Sequence, residues 1–455
     1  MLENLNKKRS FKRRALFFLV GLPVAAIILL AFTTRTHTVR IPSFLRKSGP
    51  HNVILILADT LRADHVSCYG YGKPTTPHID RLAGEGALFE KAYVNLPFSL
   101  PSFTTMFTSL YPHSHGITAG LSALSPSAIT LAEVLKEKGW QTAAVIGASN
   151  LSAHFGLNQG FQFYDEPLIG KPPLTPQRIA EEVNRIALDW LNRRDKAKPF
   201  FLMVHYFDVH KPYDPPPPFN MVVSPEPSRK NKKKTIAGYD GEISYMDAQF
   251  QLLLDQIERS GLSKETLFIF TSDHGEGLGE HGSGDHGETL FEQEVHIPLI
   301  LKGPGIPKGL RVRGIVQHVD LAPTILDFLE LSIPSQFQGV SFLPALNGAG
   351  VRKYALFERS TKLERYQRQW GVRTENEKFI WNENGNHLFF DLQKDPRELD
   401  NLYEKDQERA LQLFNDGLKF RSSFAALPLA QKVGGTQRER QEVEEALKAL
   451  GYLNQ

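Results

Sequence analysis

Cysteine is almost absent from this sequence, because Cys68 is the only one among 455 residues. A single thiol excludes a disulfide within the chain and a metal cluster built from several cysteines, so cysteine usage does not identify the redox compartment. An excess of one charge is also lacking, since 53 lysines and arginines face 50 aspartates and glutamates, a formal net charge of +3. A nucleic-acid partner therefore has no support in the composition.

A long uncharged run, "ALFFLVGLPVAAIILLAFT", occupies residues 15–33 near the N-terminus. It is about long enough to cross a hydrocarbon core of roughly 30 Å. The basic segment at residues 1–14 predicts that this end stays in the cytoplasm and that the remainder is exported, as in a single-pass membrane protein. A cleaved signal peptide is the alternative, although the run is long and no clean cleavage site follows it. Residues 34–50 are then a linker.

The sequence after residue 50 has the pattern of a soluble α/β protein. Residues 52–58 and 266–272 are continuous apolar runs with β-branched side chains, as in strands buried on both faces of a sheet. Strand and helix patterns alternate, which predicts a mainly parallel sheet flanked by helices, with ligands at the carboxyl ends of the strands. Further strands are predicted at 141–148 and 199–206, and helices at 130–140, 179–194 and 246–261.

The pattern of predicted secondary structure changes beyond residue 340. Short strand patterns joined by turns occupy residues 353–360, 368–382 and 386–396, and charged helical patterns follow at 406–424 and 437–453. We therefore expect a catalytic domain over residues 51–340, followed by a small antiparallel subdomain and a helical tail over residues 341–455.

Two of the predicted strands are followed directly by an aspartate. Asp59 follows the first strand, and Asp273 follows the strand at 266–272 with His274 beside it. A lone aspartate after a strand is commonly a turn or cap residue, but here there are two, with an added imidazole and glycines that let the backbone approach a ligand. Carboxylates and a neutral imidazole suit a divalent cation such as Ca²⁺, Mg²⁺, Mn²⁺ or Zn²⁺.

The stretch "LPFSLPSFTTMFTSLYPH" leaves two interpretations of Ser99 open. Pro101 suits the first turn of a helix, so Ser99 fits a helix cap. It equally fits a nucleophile, because a helix N-terminus stabilises an alkoxide or a bound anion. A divalent cation held by Asp59, Asp273 and His274 would lower the pKa of the hydroxyl further.

The order of motifs resembles the sulfatase family of the alkaline-phosphatase superfamily. The resemblance starts in "NVILILADTLRADHVSCYGYGKPTTPHIDRLAGEGALFEKAY" and "SLPSFTTMFTSLYPHSHGI". It continues through "FGLNQGFQFYD", "HYFDVHKPYDPP", "TSDHGEGLGEHG", "HGETLFEQEVHIPLILKGPG" and "HVDLAPTILDFL", and ends in "LFFDLQKDPRELDNLYE" and "ALKALGYL". It spans nearly everything after residue 50 and implies an alkaline-phosphatase-like fold.

The resemblance also implies roles for individual residues. Ser99 matches the nucleophile, which also touches the metal, and His210 matches a histidine that contacts the bound sulfate or phosphate group. His286 falls where many sulfatases place a lysine that binds the same group and the leaving oxygen. One divalent ion is implied, Ca²⁺ by resemblance, with Mn²⁺, Zn²⁺ or Mg²⁺ open. The implied metal ligands are Asp59, Ser99, Asp273 and His274; we interpret His205, His281 and His296 as ordinary histidines.

Three departures from the family pattern bear on the substrate. The formylglycine motif reads Cys or Ser, any residue, Pro, any residue, Arg, and Phe103 stands here in place of the arginine. Thr60 replaces the second of two paired aspartates, and a glycine-lysine-x-histidine motif is missing after residues 141–148. We therefore expect an unmodified Ser99. Such a serine favours phosphoryl substrates, because a sulfated serine must be attacked again at sulfur, whereas phosphorus accepts that second attack readily.

The sequence thus predicts a membrane-anchored, metal-dependent hydrolase of sulfate or phosphate esters, with its catalytic domain outside the cytoplasm. Its substrate would be an anionic ester on a glycan, a lipid headgroup or a small molecule. One alternative is a phosphoethanolamine- or phosphoglycerol-type transferase acting on envelope lipids or glycans, against which the single predicted membrane helix counts. The other is a non-catalytic binding protein with the sulfatase fold. The number of subunits stays open.

Overall fold

The central strands form where the sequence has its longest apolar runs. The structure is a computed structural model and describes residues 51–118, 122–167, 177–221, 236–359, 368–427, 429–434 and 436–449. Strands Asn52–Ala58 and Thr266–Ser272 have the predicted bounds, and every residue in both is buried. The predicted basic segment, membrane span and linker, residues 1–14, 15–33 and 34–50, lie outside the described residues.

The main sheet is mostly parallel, as predicted. Over the described ranges its strand order is β10-β2-β9-β7-β1-β6-β4-β5, with β8 paired to β2. Strand β9 runs antiparallel to both of its neighbours. The strands are β1 Asn52–Ala58, β2 Ala87–Tyr93, β3 Ser122–Leu124, β4 Gln141–Val145, β5 Phe163–Asp165, β6 Phe200–Tyr206, β7 Thr266–Ser272, β8 His296–Ile297, β9 Leu299–Lys302, β10 Leu310–Gln317, β11 Ala355–Glu358, β12 Gln369–Arg373, β13 Glu377–Asn382, β14 Leu388–Asp391 and β15 Ala430–Lys432.

The helices carry recognisable start signals. Helix α4 begins after a capping box, in which Thr130 and Glu133 each accept a backbone hydrogen bond from the other residue. Within the described ranges, no helix has an apolar stretch long enough to cross a bilayer. The helices are α1 Pro77–Gly84, α2 Ser99–Thr108, α3 Pro112–His115, α4 Leu131–Glu137, α5 Ala180–Arg193, α6 Ile236–Arg259, α7 Glu292–Val295, α8 Leu321–Phe328, α9 Gln407–Arg421 and α10 Gln437–Ala449.

Helix α6 begins ten residues before the predicted range at 246–261. The sequence obscures this first part because it contains glycine, a poor helix former. Gly241 packs so closely that an added Cβ would lie 2.7 Å from Cγ of Pro215. Tertiary packing therefore overrides the local preference and extends the helix.

The C-terminal region has the predicted antiparallel sheet, in the order β11-β12-β13-β14. Helix α9 packs on this sheet, since Ala410 and Leu413 share a core with Val372, Phe379 and Phe389. Strand β15 pairs with β3, so the tail also returns to the main domain. All residues that the structure describes lie in one compact unit, and the boundary at residue 340 stays a prediction.

A buried ion-pair network joins the C-terminal sheet to helix α7. Nζ of Lys378 lies 3.1 Å from Oε1 of Glu292 and 2.8 Å from Oε1 of Glu398, and the lysine side chain has no exposed surface. Arg373 pairs with Glu292 at 2.8 Å. Burial by itself would raise the pKa of Glu292, but the two cations lower it to about 2. Removing Lys378 would leave the buried carboxylate of Glu398 without this cation.

The topology brings the predicted site residues to one edge of the sheet. Strand β1 lies between β6 and β7 and is parallel to both. The residues that follow these strands therefore meet at their carboxyl ends, which is where α/β folds bind ligands. Ala58 is opposite Ser272 in the register, so Asp59 and Asp273 leave the sheet side by side.

Candidate active site

Asp59, Asp273 and His274 form a buried cluster at this edge. Each offers one oxygen or nitrogen atom, and these atoms lie within 4.8 Å of one another. None of the three side chains has exposed surface. Burial first, and then the charge of Asp273, raise the pKa of Asp59 well above its ordinary value. The arrangement concentrates negative charge, which a bound cation would offset.

The hydrogen bonds of this cluster leave one oxygen of each aspartate available as a metal ligand. Oδ1 of Asp59 and Oδ2 of Asp273 have no hydrogen-bond partner among the described residues. The other oxygen of Asp273 accepts from the backbone N–H of Thr60, at 3.1 Å, and of His274, at 2.9 Å. Nδ1 of His274 donates to the carbonyl of Gly275 at 2.8 Å, which leaves a lone pair on Nε2. Two carboxylate oxygens and one imidazole nitrogen are ligands that divalent cations take, so the residues fit a metal site.

Ser99 lies beside this cluster. It is the first residue of helix α2, and the preceding cap residue, Phe98, contributes no capping side chain. Oγ of Ser99 lies 3.2 Å from Nε2 of His274. The serine hydroxyl thus faces the cluster at a helix N-terminus, where free backbone amides and the helix dipole favour negative charge. Ser99 is therefore not the cap residue of helix α2, and its role as a nucleophile stays a prediction.

His210 and His286 complete the group of predicted residues. Both are buried, and their ring centroids are 5.2 Å apart. The ring of His286 also stacks on that of His274, with centroids 4.5 Å apart. Burial, and next the neighbouring His286, lower the pKa of His210 well below its usual range. All six residues that we singled out from the sequence therefore lie in one contiguous cluster.

A second cluster, formed by Glu276, Asp285 and His286, adjoins the first. Nδ1 of His286 lies 3.3 Å from Oε1 of Glu276 and 3.2 Å from Oδ1 of Asp285. Nζ of Lys211 lies 2.5 Å from the same oxygen of Asp285, and the hydroxyl of Tyr213 donates to Glu276 at 3.3 Å. Lys211 is therefore the cation that pairs with this cluster. We interpret the cluster as the hydrogen-bond network that orients His286.

Sequence reasoning missed two residues that contact Asp59. Nε2 of His205 lies 3.2 Å from Oδ2 of Asp59, and the side chain of Asn150 also hydrogen-bonds to this carboxyl group. We had grouped His205 with the ordinary histidines, although its place within the apolar strand Phe200–Tyr206 was a signal. By contrast, His281 bonds to the carbonyl of Arg397 near the surface.

A further pair of polar side chains lies behind Asp273. Oγ of Ser102 donates to the carbonyl of Asp273 at 2.7 Å and accepts from Nδ1 of His318 at 2.9 Å. Ser102 is one helical turn after Ser99, so both serines lie on the same face of helix α2, where one contacts His274 and the other the carbonyl of Asp273. Burial lowers the pKa of His318 to about 3, which keeps its imidazole neutral.

The residues that depart from the family pattern are also at this site. Phe103 is fully buried, and its ring stands edge-on to that of His205, with centroids 5.3 Å apart and planes at 86°. Thr60 has a φ of 54°, a left-handed conformation that β-branched residues rarely adopt. This conformation accompanies the hydrogen bond that its N–H donates to Asp273. Backbone strain of this kind clusters at functional sites.

Comparisons with known proteins agree with this geometry. Residues 51–331 match the sulfatase family model, and residues 279–418 match the model of the C-terminal region of N-sulphoglucosamine sulphohydrolase. An N-acetylglucosamine-6-O-sulfatase of Bacteroides thetaiotaomicron is 25% identical, over 81% of this chain and 86% of its own. An arylsulfatase of Clostridium perfringens is 26% identical, over 78% of this chain and 91% of its own.

Solved structures share the fold. A structure in complex with its substrate D-glucosamine-2-N,6-O-disulfate has a TM-score of 0.71 at 24% identity, covering 82% of this chain and 99% of that one. A phosphonate monoester hydrolase of Agrobacterium radiobacter has a TM-score of 0.71 at 22% identity, covering 85% and 98%. The chain belongs to the sulfatase family and is a sulfatase-like ester hydrolase.

Proposed function

We propose that this protein is a membrane-anchored, divalent-metal-dependent hydrolase of anionic esters that uses unmodified Ser99 as its nucleophile. The observation that carries the proposal is the position of the Ser99 hydroxyl, 3.2 Å from His274 and beside the buried carboxylates of Asp59 and Asp273. A divalent cation would be held by these two carboxylates and by Nε2 of His274. When bound, it would supply Lewis-acid stabilisation of the ester oxygens.

The serine of the chain carries the covalent steps. Oγ of Ser99 loses its proton as it attacks sulfur or phosphorus, the bond to the leaving oxygen breaks, and the departing alkoxide takes up one proton and leaves as the alcohol. His210 and His286, whose rings adjoin that of His274, would hydrogen-bond to the oxygens of the transferred group. Water then attacks the serine ester, which releases sulfate or phosphate and restores the hydroxyl.

A sulfate ester is the first candidate for the substrate. The two similar proteins described above are named for sulfatase activity and align with about four-fifths of this chain. One structural neighbour holds a doubly sulfated glucosamine. These similarities support a sulfated glycan or a smaller sulfate ester as the substrate class.

A phosphate or phosphonate ester is the second candidate, and Phe103 is the observation that favours it. The residue breaks the formylglycine motif, and a buried apolar ring stands edge-on to His205 where the motif has a guanidinium. An unmodified serine turns over phosphoryl groups more readily than sulfuryl groups, and one structural neighbour is a phosphonate monoester hydrolase. The transferase and the non-catalytic binding protein are not favoured, because the compared relatives are named hydrolases and the site residues are all present.

Membrane anchoring rests on the sequence. The uncharged run at residues 15–33 and the basic segment before it support a single-pass anchor, with the catalytic domain outside the cytoplasm. Extraction of membranes with alkaline carbonate tests this part. An anchored chain stays in the membrane pellet, and a chain released into the supernatant would contradict the anchor.

A panel of nitrophenyl esters tests the chemistry. We would treat the full chain with chelator, restore Ca²⁺, Mn²⁺, Mg²⁺ or Zn²⁺ in turn, and measure hydrolysis of a sulfate, a phosphate monoester and a phosphate diester. Turnover that needs both a metal and Ser99 is the expected result. Preference for the sulfate would identify a sulfatase, and preference for a phosphate ester would identify a phosphoryl hydrolase. Turnover that survives either chelation or Ser99→Ala would contradict the mechanism.

A further inference from the structure

His205 lies beside the proposed metal site without belonging to its ligand set. It is in strand β6, opposite Leu57 in the parallel register with β1, and has no exposed surface. From this position its Nε2 reaches Oδ2 of Asp59 at 3.2 Å. Oδ1 of the same carboxyl group has no hydrogen-bond partner among the described residues. One oxygen of Asp59 is therefore held by the protein, and the other faces the metal-ligand cluster.

The backbone of Gly147 determines which ring nitrogen of His205 carries the proton. Its N–H donates to Nδ1 of His205 at 3.3 Å, so Nδ1 acts as the acceptor. The proton of the neutral ring must then be on Nε2, where it is donated to Asp59. Gly147 approaches β6 so closely that a Cβ on it would lie 2.7 Å from the carbonyl oxygen of His205 and 3.0 Å from the nitrogen of Phe207. Only glycine permits this approach.

Aromatic rings hold the imidazole in this orientation. Phe103 stands edge-on to it, with centroids 5.3 Å apart, and Phe207 contacts it with centroids 6.4 Å apart. Both phenylalanines are buried. The ring of His205 thus has a fixed plane, a fixed tautomer and one carboxylate partner. Phe103, at the place where the formylglycine motif has arginine, is thus one of the two rings that pack against His205.

We propose that His205 is a positioning residue that holds Asp59 in the orientation needed to bind the metal. The proposal rests on the metal site of the proposed function and adds to it a residue that does not itself touch the ion. Hydrogen bonds of this kind to a ligating carboxylate commonly change metal affinity by about 10- to 100-fold. The hydrogen bond from His205 Nε2 to Asp59 Oδ2 is the interaction to test.

Two variants of similar size separate this hydrogen bond from packing. His205→Gln keeps an amide N–H at the end of the side chain, whereas His205→Met has no donor there. The matched control is His115→Met, because His115 is also fully buried, accepts from a backbone N–H at Nδ1 and faces a side-chain oxygen, that of Thr105, at Nε2. Neither partner of His115 is a proposed site residue.

The readout is binding of the metal alone. The full chain is stripped with chelator, and binding of Mn²⁺ and of Ca²⁺ is measured by equilibrium dialysis, with the unfolding midpoint recorded in chelator. We expect His205→Met to raise the metal dissociation constant by about 10- to 100-fold, His205→Gln to raise it less, and His115→Met to leave it unchanged. A His205→Met protein that binds metal as tightly as the wild type would overturn the inference.

A spectroscopic measurement on the wild type keeps the test decisive if His205→Met fails to fold. In the ¹⁵N spectrum of histidine-labelled protein, assigned by comparison with His205→Gln, His205 should carry its proton on Nε2. A proton on Nδ1 would overturn the inference. If the wild type binds neither metal, the proposed function fails and this inference with it. If the wild type binds metal and His205→Met binds it equally well, only this inference fails.

Discussion

Oγ of Ser99 and Nε2 of His274 are 3.2 Å apart. Because Nδ1 of His274 donates to the carbonyl of Gly275, Nε2 is an acceptor, and the serine proton points toward the imidazole. The same nitrogen lies 3.3 Å from Oδ2 of Asp273. A single imidazole atom thus faces both the proposed nucleophile and a proposed metal ligand. A bound cation would take the lone pair of Nε2, so the cation and not the imidazole would then activate the Ser99 hydroxyl.

Replacing the nucleophile should abolish turnover and preserve the fold. We expect Ser99→Ala to lower kcat by at least about 10³-fold, because the covalent route needs this oxygen. The matched control is Thr108→Ala at the far end of helix α2, whose hydroxyl donates only to the carbonyl of Thr104. Steady-state kinetics on the ester panel provide the measurement. A Ser99→Ala enzyme with wild-type kcat would rule out the serine route.

Mass spectrometry of the peptide that contains Ser99 should show an unmodified serine. Phe103 breaks the recognition motif for formylglycine formation, so the oxidising enzyme should not act on this chain. Conversion of serine to formylglycine would lower the peptide mass by two hydrogens. Detection of that mass change in purified protein would show that Phe103 is compatible with the modification, and it would strengthen the sulfate candidate.

Removing His286 should impair the chemical step more than binding. The ring is held by Glu276 and Asp285 through Nδ1 and stacks on His274, which fixes it beside the imidazole that contacts Ser99. We expect His286→Ala to lower kcat by about 10²- to 10⁴-fold, the range found for positioned acid, base or charge-stabilising groups. His281→Ala, near the surface, serves as the control. Equal kcat values for the two variants would remove His286 from the mechanism.

The buried lysine of the C-terminal sheet should be important for stability. Lys378 compensates Glu292 and Glu398, so Lys378→Met leaves a buried carboxylate without its partner. The expected cost is about 3–5 kcal/mol of unfolding free energy, measured by urea unfolding. Adding Glu398→Gln should recover part of this loss. Lys405→Met, which breaks the exposed pair with Asp400, should change stability little.

Glu242 should make the protein less stable as the pH rises. Burial raises the pKa of Glu242 from 4.5 to about 8, against the smaller opposing effect of the hydrogen bond from Asp214. The folded state therefore keeps this proton longer than the unfolded state does. The favourable contribution of Glu242 to the free energy of unfolding is present in full below about pH 4.5 and is lost as the pH rises to 8. The loss is about 1.4 kcal/mol per unit of difference between the folded and unfolded pKa values.

Calorimetry of Glu242→Gln tests this pH dependence. The variant has no titrating group at this position, so its unfolding midpoint should fall less between pH 5 and pH 8 than that of the wild type. Glu258→Gln, at an exposed position of the same helix, should keep the wild-type pH dependence. Identical pH dependence in Glu242→Gln and the wild type would show that Glu242 titrates normally in the folded protein.

The strands and helices with the strongest local signals were predictable from the sequence. The strands at 52–58 and 266–272 have the predicted bounds because a continuous apolar run flanked by polar residues specifies both ends. Strand β9 was not predicted, because its place between β2 and β7 depends on a reversal of direction that four residues do not encode. The start of α6 was missed because glycine weakens the helical pattern that packing restores.

The site was predictable only in part. The motif order predicted Asp59, Ser99, Asp273 and His274 as a group, because the acidic residues directly follow apolar strands and Ser99 begins a helix. The contact between His205 and Asp59 crosses from β6 to β1, and the polar residue within an apolar strand was its only local sign. Ser102 had no such sign, because its hydrogen bond to the carbonyl of Asp273 depends on how helix α2 docks against the end of β7.

The hydrogen bond from Thr60 to Asp273 joins residues that are 213 positions apart in the chain. A ribosome that adds about 5–20 residues per second needs roughly 10–40 s to synthesise the intervening segment. During that time the first aspartate exists without the second, and the proposed set of metal ligands is incomplete. Metal binding by the proposed ligand set would therefore have to wait until residue 273 has been synthesised and β7 has paired with β1, so metal content would report folding of the central strands.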